Sequence, residues 1–143
     1  MGKINGSRVF LGGLLAGIVM FILGGASLVM YLGKLYEAAL QALGRPLTAT
    51  AGMYVLAFIM SLIGGILAVW LYAAIRPRFG AGAKTAIIAG FFIWVIGSLF
   101  PSISMGTMGF FPTNLLVIDG ISGLVIYIVA TLLGAWVYKE QSQ

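Results

Sequence analysis

Residues 51–75, Ala-Gly-Met-Tyr-Val-Leu-Ala-Phe-Ile-Met-Ser-Leu-Ile-Gly-Gly-Ile-Leu-Ala-Val-Trp-Leu-Tyr-Ala-Ala-Ile, run from end to end without a charged side chain. A bilayer core about 30 Å thick takes about 20 helical residues to cross, so this stretch is long enough to span it. Three more apolar stretches accompany it, at about 9–32, 85–100 and 115–138. The third of the four, 85–100, is the shortest and is expected to stop at Pro101. The sequence therefore predicts an all-α, polytopic membrane protein: one membrane domain over residues 1–143 with four transmembrane helices.

Composition leads to the same class. Of the 143 residues 62% are hydrophobic and 8% charged, where a soluble domain carries about 25% charged residues to stay dispersed. The 21 glycines would weaken soluble helices, but small residues are the usual contact surface between helices in lipid. The first apolar run follows Lys3 and Arg8 and passes Gly24-Gly25-Ala26, which imitates a signal peptide. The apolar sequence continues through Leu32, so we read a retained helix. Cysteine and histidine are both absent. Disulfides, thiolate chemistry and the common zinc sites are thereby excluded, and no cofactor is expected.

The basic residues set a sidedness. Lys3, Arg8, Arg76, Arg78, Lys84 and Lys139 fall on one side of the four spans, and Lys34 and Arg45 on the other. Cytoplasmic loops hold the excess of Lys and Arg, so both termini and the basic loop Arg76, Arg78, Lys84 are expected in the cytoplasm. The net charge of +5 then reports topology and contact with anionic lipid headgroups, not nucleic-acid binding. The loop Arg76–Thr85 lacks phosphate-loop spacing, with Arg78 and Ala83 where glycines belong. Trp70, Tyr72, Trp136 and Tyr138 end the second and fourth spans, where amphipathic rings are expected at headgroup level. The outer segment 34–45 has helical spacing, with Leu35, Ala39 and Leu43 on one face and Gly44 and Pro46 as a stop. It is either an extension of the first helix or a short amphipathic helix on the outer interface.

The chain also repeats itself. Leu14-Leu15-Ala16-Gly17 matches Ile87-Ile88-Ala89-Gly90 at an offset of 73 residues. Ile66-Leu67-Ala68-Val69-Trp70-Leu71-Tyr72 matches Leu132-Leu133-Gly134-Ala135-Trp136-Val137-Tyr138 at an offset of 66. Both hairpins start and end on one side, so the expectation is two parallel helical-hairpin repeats about an axis along the membrane normal.

Small residues recur at spacing four: Gly13 and Gly17; Ala57, Ser61 and Gly65; Ala86 and Gly90; Ala130 and Gly134. Such faces let helices approach closely, within the chain or toward a homo-oligomer or a larger membrane complex. Asp119 is the one acid inside an apolar span. Lys34 or Arg45 is expected to reach it from the same side, with Asn114, Thr113, Ser102 and Ser104 as polar neighbours. It reads as a structural ion pair, as a carboxylate favoured by the helix dipole, or as the centre of a cation- or proton-handling site. Met30, Met53, Met105 and Met108 fall at the outer level; thioethers bind Cu(I), but without Cys or His beside them packing is the default. No nucleophile with a base, paired carboxylates or metal-ligand cluster stands out, so no enzymatic activity is expected.

Leu71-Tyr72-Ala73-Ala74-Ile75-Arg76-Pro77-Arg78-Phe79-Gly80, continued by Lys84-Thr85-Ala86, resembles a family of small bacterial four-helix membrane proteins with no assigned activity. Glu37, the run Ala42-Leu43-Gly44-Arg45-Pro46 and the closing Gly134-Ala135-Trp136-Val137-Tyr138 share the likeness. Relatives often carry Pro where Ala81 and Ala83 stand. The resemblance implies a bacterial inner membrane and transfers no functional residue. The leading expectation is a structural or accessory protein acting through helix contacts. The alternatives are a minimal transporter or channel using Asp119, and a protein that binds lipid or a hydrophobic ligand between its helices.

Overall fold

The computed structural model describes residues 3–46 and 48–139; residues 1–2, 47 and 140–143 of the 1–143 span lie outside it. Among the described residues all regular structure is helical. Four helices are long and apolar enough to cross a membrane: α1 (Gly6–Ala42), α2 (Ala51–Phe79), α3 (Ala83–Thr107) and α4 (Thr113–Val137).

Local chemistry accounts for the starts and stops. The Asn5 side chain caps α1 by accepting the Arg8 amide at 3.2 Å, and Thr50 caps α2 by accepting the Met53 amide at 3.4 Å. Helix α1 closes at Gly44 with φ +68°, where the Gly44 amide bonds the Gln41 carbonyl and the Arg45 amide bonds the Leu40 carbonyl, both at 2.9 Å. Helix α3 closes the same way at Gly109 with φ +73°, its amide on the Gly106 carbonyl and the Phe110 amide on the Met105 carbonyl, both at 3.0 Å. This left-handed closure satisfies the last carbonyls and suits a residue without Cβ.

Of the two readings of segment 34–45, the structure takes the extension: residues through Ala42 are the far end of α1, joined to the 9–32 span through a π-helical turn at Leu28–Leu32. Two span ends need correction. The third span does not stop at Pro101 but runs on to Thr107 through a π-helical turn at Val95–Leu99. Proline inside a helix lacks an amide and crowds the carbonyl four residues earlier. The widened turn immediately before Pro101 accommodates both defects, so the helix bends its bonding pattern and continues. Pro77 likewise lies inside α2, which ends at Phe79 rather than at 75.

Helix α1 packs on α2 and α4, α3 packs on α4 and α2, and α1 and α3 take opposite corners. This arrangement suits two parallel hairpins, and one seam contact recurs at equivalent positions. A Cβ on Gly17 would lie 2.5 Å from the Leu62 Cα and 2.7 Å from the Ser61 carbonyl oxygen. One on Gly90 would lie 3.1 Å from the Ile128 Cα and 3.0 Å from the Tyr127 carbonyl oxygen. Gly90 is 73 residues after Gly17, and Tyr127 and Ile128 are 66 after Ser61 and Leu62, the two offsets of the sequence repeat.

The bundle is packed hardest toward the end that carries Lys3, Arg76, Arg78, Lys84 and Lys139, called here the basic end. Ala16, Ala68, Val69, Ala89, Ala130 and Thr131 are fully buried there, at 0% exposure. Gly12 and Gly134 bring α1 and α4 into backbone contact, a Cβ on Gly134 falling 2.6 Å from the Gly12 carbonyl oxygen.

At the far end the symmetry breaks. The upper part of α1 leans onto α4: the Tyr31 hydroxyl bonds Ser122 Oγ at 2.8 Å, and Leu32 and Leu115 are buried together. Every residue of α2 from Ala51 through Met60 is exposed. Phe58 meets Phe21 edge to face at 5.1 Å where α2 parts from α1.

Candidate functional site: a polar cleft at Asp119

Asp119 is half-buried in the second turn of α4. Counting back 20 residues from Lys139 to Asp119, at about 1.5 Å each, spans about 30 Å, the thickness of the hydrocarbon core. With Lys139 at one boundary of that core, the carboxylate falls near the other, beside the far turns of α3. A helix dipole acts mainly over the first turn, so it does little for an acid at this position.

The neighbour of Asp119 in this cleft is Tyr36, whose hydroxyl is brought toward the carboxylate from the far segment of α1. Tyr36 is held by its ring, edge to face with Phe111 at 5.4 Å and 85°. Helix α1 supplies the residue because Leu32, Leu35, Tyr36 and Ala39 share one face at helical spacing, and that face packs on Leu115 and Phe111.

Helix α3 forms the opposite wall. Its π-helical turn and Pro101 bring Gly97, Ser98, Ser102 and Met105 to the same space, and Phe111 and Leu116 close it from the α4 side. The cleft measures about 230 Å³. Helices α3 and α4 approach closely beneath it: the Trp94 indole N–H donates to the Gly120 carbonyl at 2.9 Å, and a Cβ on Gly123 would lie 3.1 Å from Ser98 Oγ.

The expected ion pair is not formed. Lys34 and Arg45 are exposed and line neither the cleft nor its neighbour, and Asp119 is met by Tyr36 instead. Asn114 is also elsewhere. It lines an apolar groove of about 470 Å³ between Leu35–Leu43 of α1 and Gly109–Leu115. Thr113 and Ser104 are exposed, and the Ser104 carbonyl accepts from the Thr107 hydroxyl at 2.9 Å. Of the expected polar neighbours, Ser102 joins Asp119 in the cleft. Tyr36, Ser98 and Phe111 were not singled out from the sequence. Tyr36 carried a signal, as the one residue of the Leu32–Tyr36–Ala39 stripe with a hydrogen-bonding group.

The small-residue faces are largely used inside the chain. Gly13, Gly17 and Gly65 hold α1 to α2, Gly90 meets α4, and Ala86, Ala130 and Gly134 are buried. Ser61 is half-buried, with its hydroxyl on the Ala57 carbonyl at 2.8 Å, and Ala57 is exposed.

The basic loop divides. Arg76 is half-buried with its guanidinium 5.6 Å from the centre of the Tyr138 ring, while Arg78 and Lys84 are exposed. The aromatic group divides too. Trp70 and Trp136 are exposed, at 52% and 82%, as residues at headgroup level would be. Tyr72 and Tyr138 instead turn inward and are buried, because their hydroxyls have backbone amides to accept there.

Comparison with known proteins finds no matching family model, no matching curated protein and no matching solved structure. The chain's own structure is that of a small multi-pass membrane protein, a four-helix bundle with a polar cleft at one end.

Proposed function

We propose that this chain is a non-catalytic protein of the bacterial inner membrane that takes a small solute into an outward-facing cleft at Asp119, as a minimal transporter does. The observation that carries this reading is a half-buried carboxylate in a membrane-spanning helix, beside a tyrosine in a cleft of about 230 Å³ whose lining among the described residues holds no basic side chain. An ionisable group within a membrane-spanning helix defaults to a functional reading. The tightly packed basic end, with its buried alanines, supports reading this as an arrangement open at the far end and closed at the basic one. Two parallel hairpins about a membrane-normal axis suit rocking of one half against the other. The excess of Lys and Arg at the basic end supports a cytoplasmic location for it, and the bacterial compartment rests on the sequence resemblance of residues 71–86 alone.

The chain has no cysteine, so single-cysteine labelling has no background. Ser102→Cys is expected to react with a small membrane-impermeant thiol reagent added outside intact cells, and Lys84→Cys only after the cytoplasmic face is opened. In proteoliposomes, Asp119→Asn is expected to abolish solute flux while the protein elutes from a sizing column as before. A Ser102→Cys protein that never labels would sink the reading, because the cleft would be closed to water.

A second reading rests on a different observation, the ten consecutive exposed residues Ala51–Met60 of α2. An accessory subunit would cover that half-helix with a neighbour, through the exposed Ala57 face. A photo-crosslinking side chain at position 57 in native membranes separates the two, since it needs no matching group on the neighbour and a lone solute carrier gives no protein adduct there.

A further inference from the structure

The chemistry of the cleft narrows the class of solute. Its one charged wall is the Asp119 carboxylate, and no basic side chain lines it. The remaining polar groups are the hydroxyls of Tyr36, Ser98 and Ser102. A carboxylate has about four lone-pair sites, so with Tyr36 beside it Asp119 is still able to accept from a bound donor. An anion meets repulsion here and finds no cation to hold it. A divalent metal ion fits no better: calcium takes about six to eight oxygen ligands, and no group of three or more acidic, His or Cys side chains forms among the described residues.

The rest of the wall is carbon. Met105, Leu116 and Phe111 face the same space, and the rings of Tyr36 and Phe111 stand edge to face. Aromatic faces attract an ammonium group, and more so where water is partly excluded. At about 230 Å³ the cleft is below the usual range for drug-sized ligands, about 300–1,000 Å³. We propose that the cleft binds a small organic ammonium ion bearing short apolar substituents, with its nitrogen at the Asp119 carboxylate and its carbons against Met105, Leu116 and Phe111.

This rests on the solute-binding reading, and the test separates their failures. The full-length protein carries 13C-labelled methionine methyls in lipid nanodiscs, and Met105 in the cleft wall is the reporter. Butylammonium and tetramethylammonium are titrated against sodium, calcium, acetate and glycerol. The expected result is a saturable shift of the Met105 methyl with the two ammonium ions, at least tenfold tighter than with sodium, and at least tenfold weaker in Asp119→Asn. Should Asp119→Asn fail to fold, Ser102→Leu, which fills the cleft from α3, is expected to give the same loss. Saturable binding of sodium or glycerol in preference to the ammonium ions overturns the ammonium assignment and leaves a solute site. No saturable shift with any of the six probes overturns both.

Discussion

Tyr72 and Tyr138 pack edge to face, with ring centres 5.9 Å apart and planes at 88°. They are 66 residues apart and equivalent in the two repeats, so their contact marks the axis that relates the hairpins. Each closes the other hairpin's entry. The Tyr138 hydroxyl accepts the Asn5 amide at 3.4 Å at the start of α1, and the Tyr72 hydroxyl accepts the Gly82 amide at 3.3 Å at the start of α3. A helix start leaves four amides unmet by the helix itself, and here a side chain from another helix meets one.

Removing either hydroxyl should cost about the same. Tyr72→Phe and Tyr138→Phe keep the ring contact and each lose one bond, so each is expected to lower stability by about 1 kcal/mol. Thermal unfolding of the two variants in one detergent checks this. Unequal losses, several-fold apart, would show that the hydroxyls are not equivalent.

Glycine substitutions should separate seam from surface. Gly17→Ala places a methyl against the Leu62 backbone and forces α1 from α2, with an expected loss of about 2 kcal/mol or more. Gly90→Ala, with slightly more room against Ile128, is expected to lose less. Gly24 and Gly25 have nothing within 4 Å of an added Cβ; alanine there should be neutral or favourable by up to about 1 kcal/mol through helix propensity. Denaturation midpoints of the four variants give the order.

The Tyr36–Asp119 contact should appear as a coupling. Hydrogen bonds to a charged group contribute about 1.5–3 kcal/mol, so Tyr36→Phe is expected to lose up to that amount if the acid stays ionised. A double-mutant cycle with Asp119→Asn isolates the pair. Additive losses would mean that the two side chains do not act together.

Pro101→Ala should leave α3 intact. The helix already continues to Thr107, and alanine restores an amide that proline lacks. Amide exchange at residues 102–107 is expected to be as protected in the variant as in the parent. Protection that appears only in the variant would place the helix end at Pro101 after all.

The sequence by itself determined the class, the four spans and the repeat. Each depends on a property that accumulates along the chain: a run of about 20 apolar residues is unmistakable however the neighbours pack, and the offsets of 73 and 66 are visible as letters. Gly13, Gly17, Gly65 and Gly134 could be named as contact residues because only small side chains permit such approach. Which contacts they make, and that Ala57 is left out, required the partner helices.

Tertiary structure alone decided the site. Lys34 stands on the same segment as Tyr36 and carries the opposite charge to Asp119, so charge favoured it as partner from the sequence. The packing of Leu32 and Ala39 on Leu115 rotates α1 so that Tyr36 faces Asp119 and Lys34 faces outward. Residues two apart on a helix point in different directions, and the face that is buried sets which one turns inward. The π-helical turn before Pro101 is likewise invisible as a pattern, since it is the response of one backbone turn to a missing amide. It sets Ser98 and Ser102 opposite an acid whose counterpart in the first repeat, 66 residues earlier, is Met53.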